Sequence, residues 1–193
     1  MILVKRRENL VLGDSPGILD KMARNSTDRL RSPPLLPPLH VVLVEPEIPP
    51  NTGNIARLCA ATGSVLHLVG TLGFRIDEKS VRRAGIDYWH LVQVERHLDL
   101  AHFRNALPEA RWFLFSASAE RSYLDAGFRP GDALVFGRES VGLPDALLAE
   151  HRESVLGIPT LGSVRSLNLA NAVSIVVYEA LRQAGALGHT FMG

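Results

Sequence analysis

The sequence predicts an α/β fold with a mostly parallel sheet flanked by helices, and three observations predict it. Short β-branched runs alternate with helical stretches from residue 40 onward, glycines such as Gly63 and Gly185 punctuate the helical stretches, and a proline-dense segment separates this pattern from what precedes it. The runs read as strands are His40 to Val44, Val65 to Val69, Leu91 to Val94, Trp112 to Ser116, Ala133 to Phe136 and Val155 to Ile158. Helices are expected at about 52–62, 79–85, 98–106, 144–151 and 166–184, with Gly63 and Gly185 as stops after the first and last.

The segment Ser32-Pro33-Pro34-Leu35-Leu36-Pro37-Pro38 has four prolines that lack backbone donors and push their neighbours toward extended conformations. It marks the domain boundary: residues 1–38 form a basic, proline-containing extension expected to be poorly ordered, 39–188 the folded domain and 189–193 a tail. The extension carries seven Lys/Arg against four acids, so it is +3 while the remainder is −2. It reads either as an RNA-touching arm or as a plain leader, and the second is the simpler expectation.

With 193 residues, 46% of them hydrophobic and 21% charged, the chain has the material for one well-buried domain. Cys59 is the only cysteine, the seven histidines are scattered singly, and no paired Cys/His spacing suggests a metal, so the expected site is metal-free. The N-terminus lacks a signal-peptide core and there is no long apolar run, which points to a cytoplasmic protein without membrane contact. No G-x-G-x-x-G follows a strand, and Gly137-x-x-x-x-Gly142 continues into Leu143-Pro144 rather than the Lys-Ser/Thr of a P-loop. No G-x-S-x-G elbow supports a hydrolase.

Ligands of parallel sheets bind beyond the carboxyl ends of the strands. Three segments there combine glycine, amides and charge. The first, Glu45 to Arg57, enters a helix with Asn51 suited to cap it and Asn54 and Arg57 projecting from its opening turns; these are either a cap and a surface cation or a ligand-facing row. In the second, Val135 to Pro144, Gly137 and Gly142 sit where the backbone approaches something closely or takes positive φ, although alone it reads as a tight turn. The third, Ile158 to Asn171, leads into a helix apolar on nearly every side, interrupted by Ser166, Asn168 and Asn171, whose amides need partners. Such a helix is either central to the monomer or buried against a second copy.

In this order the three segments resemble the signature motifs of the SPOUT RNA methyltransferases, over about residues 39–188. Glu45 to Asn54 followed by Leu58-Cys59, then Leu72-Gly73-Phe74, Arg82-Arg83-Ala84-Gly85 and Asp87-Tyr88, resembles the small tRNA wobble-ribose (cytidine/uridine-34) 2'-O-methyltransferases within it. The resemblance implies a C-terminal deep trefoil knot and a homodimer whose active site is shared between subunits. It also implies S-adenosylmethionine as cofactor, leaving as S-adenosylhomocysteine, and no metal.

By the same resemblance, Phe115, Ser116, Gly137, Ile158, Ser166 and Leu167 hold the cofactor and Arg57 is catalytic. Asn51, Asn54, Arg165, Asn168 and Tyr178 bind RNA or organise the site, the RNA being the tRNA anticodon stem-loop. The Arg75, Lys79, Arg82, Arg83 group offers a local basic patch. A guanidinium normally keeps its proton, so Arg57 either is perturbed by its surroundings or orients the hydroxyl and a phosphate. Relatives have Pro-Glu-Thr where this chain has Arg138-Glu139-Ser140, and Ser-Arg-Ser-Met-Asn-Leu-Ser-Asn where it has Val164 to Asn171. Of these changes Arg138 alters character most and is expected to change RNA contacts near the pocket. Two other readings stand beside this one: a SPOUT enzyme acting on another tRNA or rRNA ribose, and a non-catalytic RNA-binding protein of the same fold, which cofactor titration would separate from the enzymes.

Overall fold

A computed structural model describes residues 30–74 and 91–188, and the backbone of 191–192. Six strands form one sheet: β1 (His40–Val44), β2 (Val65–Val69), β3 (Val94–His97), β4 (Trp112–Phe115), β5 (Ala133–Phe136) and β6 (Val155–Leu156). Their order across the sheet is β3-β2-β1-β5-β4-β6 and every pairing is parallel, with His40 opposite both Val65 and Ala133. The helices are α1 (Pro49–Thr62), α2 (Leu100–Ala106), α3 (Asp145–Glu150) and α4 (Leu169–Gln183). Separately, Leu30–Arg31 pairs antiparallel with Phe191–Met192.

Strands covered on both faces explain why β1, β2, β4 and β5 are apolar apart from His40 and His67. Val41 and Leu43 of β1, Phe113 and Phe115 of β4 and Leu134 and Phe136 of β5 pack in one cluster with Ile55, Ala56 and Cys59 of α1 and Val173, Val176 and Val177 of α4. Val42 and Val44, Trp112 and Leu114, and Ala133 and Val135 face the opposite cluster, with Phe103 and Leu100 of α2 and Leu147 and Leu148 of α3. The result is a three-layer sandwich in which each fully buried Leu or Phe contributes about 1.5–3 kcal/mol. The proline segment lies against this sandwich: Leu35 packs on the first cluster, and Pro37 approaches Gly131.

Several boundaries differ from expectation. The β3 strand lies at Val94–His97 rather than 91–94, because an edge strand tolerates Glu95 and Arg96, whose polarity hid it. The first helix starts at Pro49, since two prolines suit positions that need no N–H, so Asn51 lies inside the first turn and Ile48 is the cap residue. The last helix starts at Leu169, not 166, with Asn168 as its cap. Strands β4 and β6 end at Phe115 and Leu156, one and two residues early. The α4 helix is less uniformly covered than its composition implied: Ile175 and Tyr178 are exposed. The expected helix at 79–85 lies outside the described residues. Gly63 and Gly185 do take left-handed conformations after α1 and α4.

The singly scattered histidines are not scattered in space. His67, fully buried in β2, contacts His40 of β1 and His97 of β3 through ring nitrogens, each at 2.9 Å. Burial, followed by the neighbouring His40 and His97, pushes His67 down to about 3, so its ring is neutral at physiological pH.

Candidate active site

The strand order places β1 next to β5, where the chain's progress across the sheet reverses, and the crevice at such a switch point is the natural ligand site of a parallel sheet. The loops beyond β1, β5, β4 and β6 all open there.

Leaving β1, Glu45 takes a left-handed conformation (φ 50°), and its carboxylate pairs with Arg138 of the β5 loop. Arg138, expected to reach toward RNA, is thus engaged within the chain. Two carboxylates are then exchanged between the same loops. Glu47 accepts from the Ser140 backbone N–H (3.0 Å) and hydroxyl (2.9 Å). Glu139 accepts from the backbone N–H groups of Glu47 (2.9 Å) and Ile48 (3.3 Å) and from Asn51 Nδ2 (3.0 Å). Ile48 offers no capping side chain, so Glu139 supplies a charged acceptor to the start of α1 from ninety residues away along the chain.

Asn51 is buried, and both ends of its amide are used. Its Nδ2 donates to Glu139 and its Oδ1 accepts from Asn168 Nδ2 at 2.9 Å. Asn168 Oδ1 accepts in turn from the N–H groups of Ala170 and Asn171, capping α4. A carboxylate can only accept, so the polarity of the row is fixed: the α4 amides donate to Asn168, Asn168 to Asn51, Asn51 to Glu139. One row of hydrogen bonds joins all three segments singled out in the sequence. Arg165 adds a link, donating to the carbonyl of Ser140 at 3.2 Å.

Gly137 shows why the β5 loop needs glycine: a Cβ there would overlap the carbonyl carbon of Gly142 and the amide nitrogen of Leu143, where the loop folds back on itself. Gly142 completes the turn with φ 76°, and Arg138 and Gly142 exchange backbone hydrogen bonds. Phe115 and Phe136, at the ends of β4 and β5, stack with centroids 4.6 Å apart and planes 11° apart, forming an apolar floor below the loops. Ser116 follows, donating its N–H to Leu156 and sharing a hydrogen bond with the hydroxyl of Ser118. Ile158 packs at the edge of the core, Leu167 is half-buried, and residues 159–166 are exposed, Ser166 among them. An apolar floor, an exposed backbone-rich loop and a tight glycine turn suit a small cofactor with a flat ring and polar edges.

Asn54 and Arg57 are exposed on α1, one and two turns beyond Asn51. Tyr178 is not brought into this group. It stands ten residues beyond Asn168, roughly 15 Å along the helix, and lines a separate groove with Pro33, Pro34, Thr62, Leu181 and Leu187. The Arg75, Lys79, Arg82, Arg83 patch and the Arg82 to Tyr88 motifs lie outside the described residues. Neither Glu47 nor Glu139 was among the site residues expected from the sequence. The signal for both was a helix whose first residues, Ile48-Pro49-Pro50, supply no capping side chain.

This arrangement matches known proteins along most of its length. The signature of the SpoU rRNA Methylase family covers residues 38–178. The chain belongs to that family. A SpoU relative from Escherichia coli (strain K12), the tRNA (cytidine(34)-2'-O)-methyltransferase, is 47% identical over 151 residues, which are 78% of this chain and 96% of the relative. A structure described as giving insights into 2-OH methylation of C/U34 on tRNA superposes with a TM-score of 0.71 at 52% identity, covering 75% of this chain and 95% of that one. An AdoMet-bound rRNA methyltransferase from Sinorhizobium meliloti, 26% identical, gives a TM-score of 0.67 over 79% of this chain and 58% of its own. This SpoU family member is therefore an S-adenosylmethionine-dependent methyltransferase with the SPOUT α/β architecture.

Proposed function

We propose that this enzyme methylates the 2'-hydroxyl of the wobble nucleotide, cytidine or modified uridine 34, of tRNA. The observation that carries the reading is the row Glu139–Asn51–Asn168, which binds the three loops of a SpoU methyltransferase into one unit, in a chain whose 47–52% identical relatives carry that activity in their names. The C-terminal part is threaded as the family's trefoil knot. Two copies associate through α4, whose exposed Ile175 and Tyr178 support such a contact. Arg57 of one copy then faces the cofactor of the other. Residues 1–38 are an extension to the domain, and the enzyme works in the cytoplasm; no helix among the described residues is long and apolar enough to cross a membrane.

S-adenosylmethionine supplies an electrophilic methyl group on its sulfonium. The protein's part is positional. Phe115 and Phe136 form the floor, Gly137 lets the β5 loop close, and the loop from Ile158 to Leu167 offers its backbone to the cofactor's polar edges. Holding a hydroxyl in line with the methyl carbon converts a bimolecular displacement into an effectively unimolecular one. Arg57 fixes the hydroxyl and an adjacent phosphate by its donor fork, while Asn54 and Arg165 flank the approach.

Nucleoside mass spectrometry of tRNA from a strain lacking the protein, and from the same strain re-expressing it, tests the substrate. Loss and return of 2'-O-methylation at position 34 is expected; an unchanged position 34 with loss elsewhere would overturn the substrate and keep the chemistry. Arg57→Ala should abolish turnover while leaving cofactor affinity nearly intact, and loss of cofactor binding would refute its role.

A further inference from the structure

Outside the loops just described, the edge of the sheet holds a second cluster of chemically capable side chains. His67 of β2 and Glu95 and His97 of β3 present one ligand atom each, a ring nitrogen from each histidine and a Glu95 carboxylate oxygen, all within 4.8 Å of one another. His67 Nδ1 is 2.9 Å from His97 Nε2 and 3.6 Å from Glu95 Oε2. Parallel register generates this directly: His67 pairs with Glu95 across the ladder, and His97 follows two residues later on the same face. We propose that His67, Glu95 and His97 form a binding site for one divalent transition ion of the zinc class.

The neighbours of these three residues are those a metal site needs. Gln93 Nε2 donates to Glu95 Oε1 at 2.8 Å, which holds the carboxylate with Oε2 toward His67. The far nitrogen of His67, Nε2, meets His40 Nδ1 at 2.9 Å, so a proton on Nε2 has an acceptor and Nδ1 keeps its lone pair for an ion. On His97 the other ring nitrogen, Nδ1, is buried without a hydrogen-bond partner among the described residues, so the ring proton can reside there, freeing Nε2, with the His67–His97 bond alone given up. Tetrahedral geometry with bonds of about 2.0–2.1 Å needs donors about 3.3 Å apart. The 2.9 Å His–His contact opens by a few tenths of an ångström, within reach of small χ rotations. His67 is fully buried while the Glu95 side chain is 41% exposed, which gives an ion a path from solvent and leaves a fourth position for water. Two imidazoles and one carboxylate select zinc, cobalt or nickel over magnesium or calcium, which favour all-oxygen shells. The ion would clamp the edge strand β3 to β2, whose mutual hydrogen bonds are the outermost on that side of the sheet.

The test uses the untagged full chain, stripped with EDTA and titrated with zinc chloride by calorimetry and with cobalt(II) by visible absorption. Expected are one ion per chain, a cobalt spectrum of tetrahedral intensity, and a melting temperature that rises saturably with zinc. Glu95→Gln and His97→Asn should each weaken zinc binding by more than about tenfold, and Gln93→Ala by about tenfold through the carboxylate it orients. His102→Ala, beside the cluster and supplying no ligand, should bind as the parent does; His67, central to the core, is left unaltered. Absence of a one-to-one complex up to millimolar zinc, or equal binding by the parent and the Glu95 and His97 variants, would overturn the site and leave a hydrogen-bonded histidine row.

Discussion

Replacing Glu139 by alanine removes the single acceptor shared by three donors at the start of α1. The Glu47 N–H and Asn51 Nδ2 hydrogen bonds, at 2.9 and 3.0 Å, are partly buried, whereas that of Ile48, at 3.3 Å, is exposed and would turn to water. A hydrogen bond to a charged group contributes about 1.5–3 kcal/mol, and the loss of a negative charge at a helix N-terminus adds about 0.3–1 kcal/mol. Counting the two partly buried bonds and the helix-terminus term in full gives an upper limit of about 7 kcal/mol; since Glu139 is only half-buried and water re-solvates part of the gap, about 2–4 kcal/mol is expected. For a domain of this size that lowers the melting temperature by roughly 5–15 °C. Urea unfolding monitored by tryptophan fluorescence gives the free energy, and a cycle with Asn51→Ala gives the coupling, expected at about 1–2 kcal/mol. A Glu139→Ala loss below about 0.5 kcal/mol, or strict additivity with Asn51→Ala, would refute the idea that this carboxylate ties the β5 loop to α1.

Gly137→Ala forces a methyl into the backbone of Gly142 and Leu143 and should cost about 1–3 kcal/mol while weakening S-adenosylmethionine binding more than tenfold; cofactor titration with parent-like affinity would contradict the tight-turn role. Burial pushes the Cys59 thiol up to about 12, so the native protein should resist thiol reagents at pH 8 and react only on unfolding; stoichiometric labelling within seconds would show the α1 core to be open. Hydrogen bonds from Arg182 and then Gln183 hold the Glu179 carboxyl down to about 2, so its contribution is present above its ordinary value of 4.5 and is lost as pH falls toward 2. The stability gap between parent and Glu179→Gln, at most about 1 kcal/mol for so exposed a partner as Arg182, should therefore close on acidification between pH 5 and 2, and a constant gap would assign it to packing.

The central strands were legible because burial on both faces leaves them apolar apart from His40 and His67: β1, β2 and β5 fall at the residues their composition marks. The edge strand β3 was misplaced by three residues, since Glu95 and Arg96 satisfy solvent and break the apolar run. Asn168 was visible as a polar residue in need of a partner, and it finds Asn51, 117 residues away along the chain. Their arrangement was not legible, because it depends on where α1 and α4 begin, and Asn51 was expected to be the cap that Asn168 turned out to be, on the other helix. The histidines show the same limit: His40, His67 and His97 are meaningless singles along the chain and become neighbours only through parallel register.

The row from Glu139 through Asn51 to Asn168 also bears on when the protein becomes competent during synthesis. Its members come from the first helix, the loop after the fifth strand and the cap of the last helix, so an emerging chain holds an unanswered Asn51 Oδ1 until nearly the whole domain has left the ribosome. Closing such long loops is slow, and nothing compensates the entropy until both ends meet. An incomplete chain then lacks the Asn168 cap of α4 and the hydrogen bond that ties it to Asn51, so the three loops are joined only once α4 has folded.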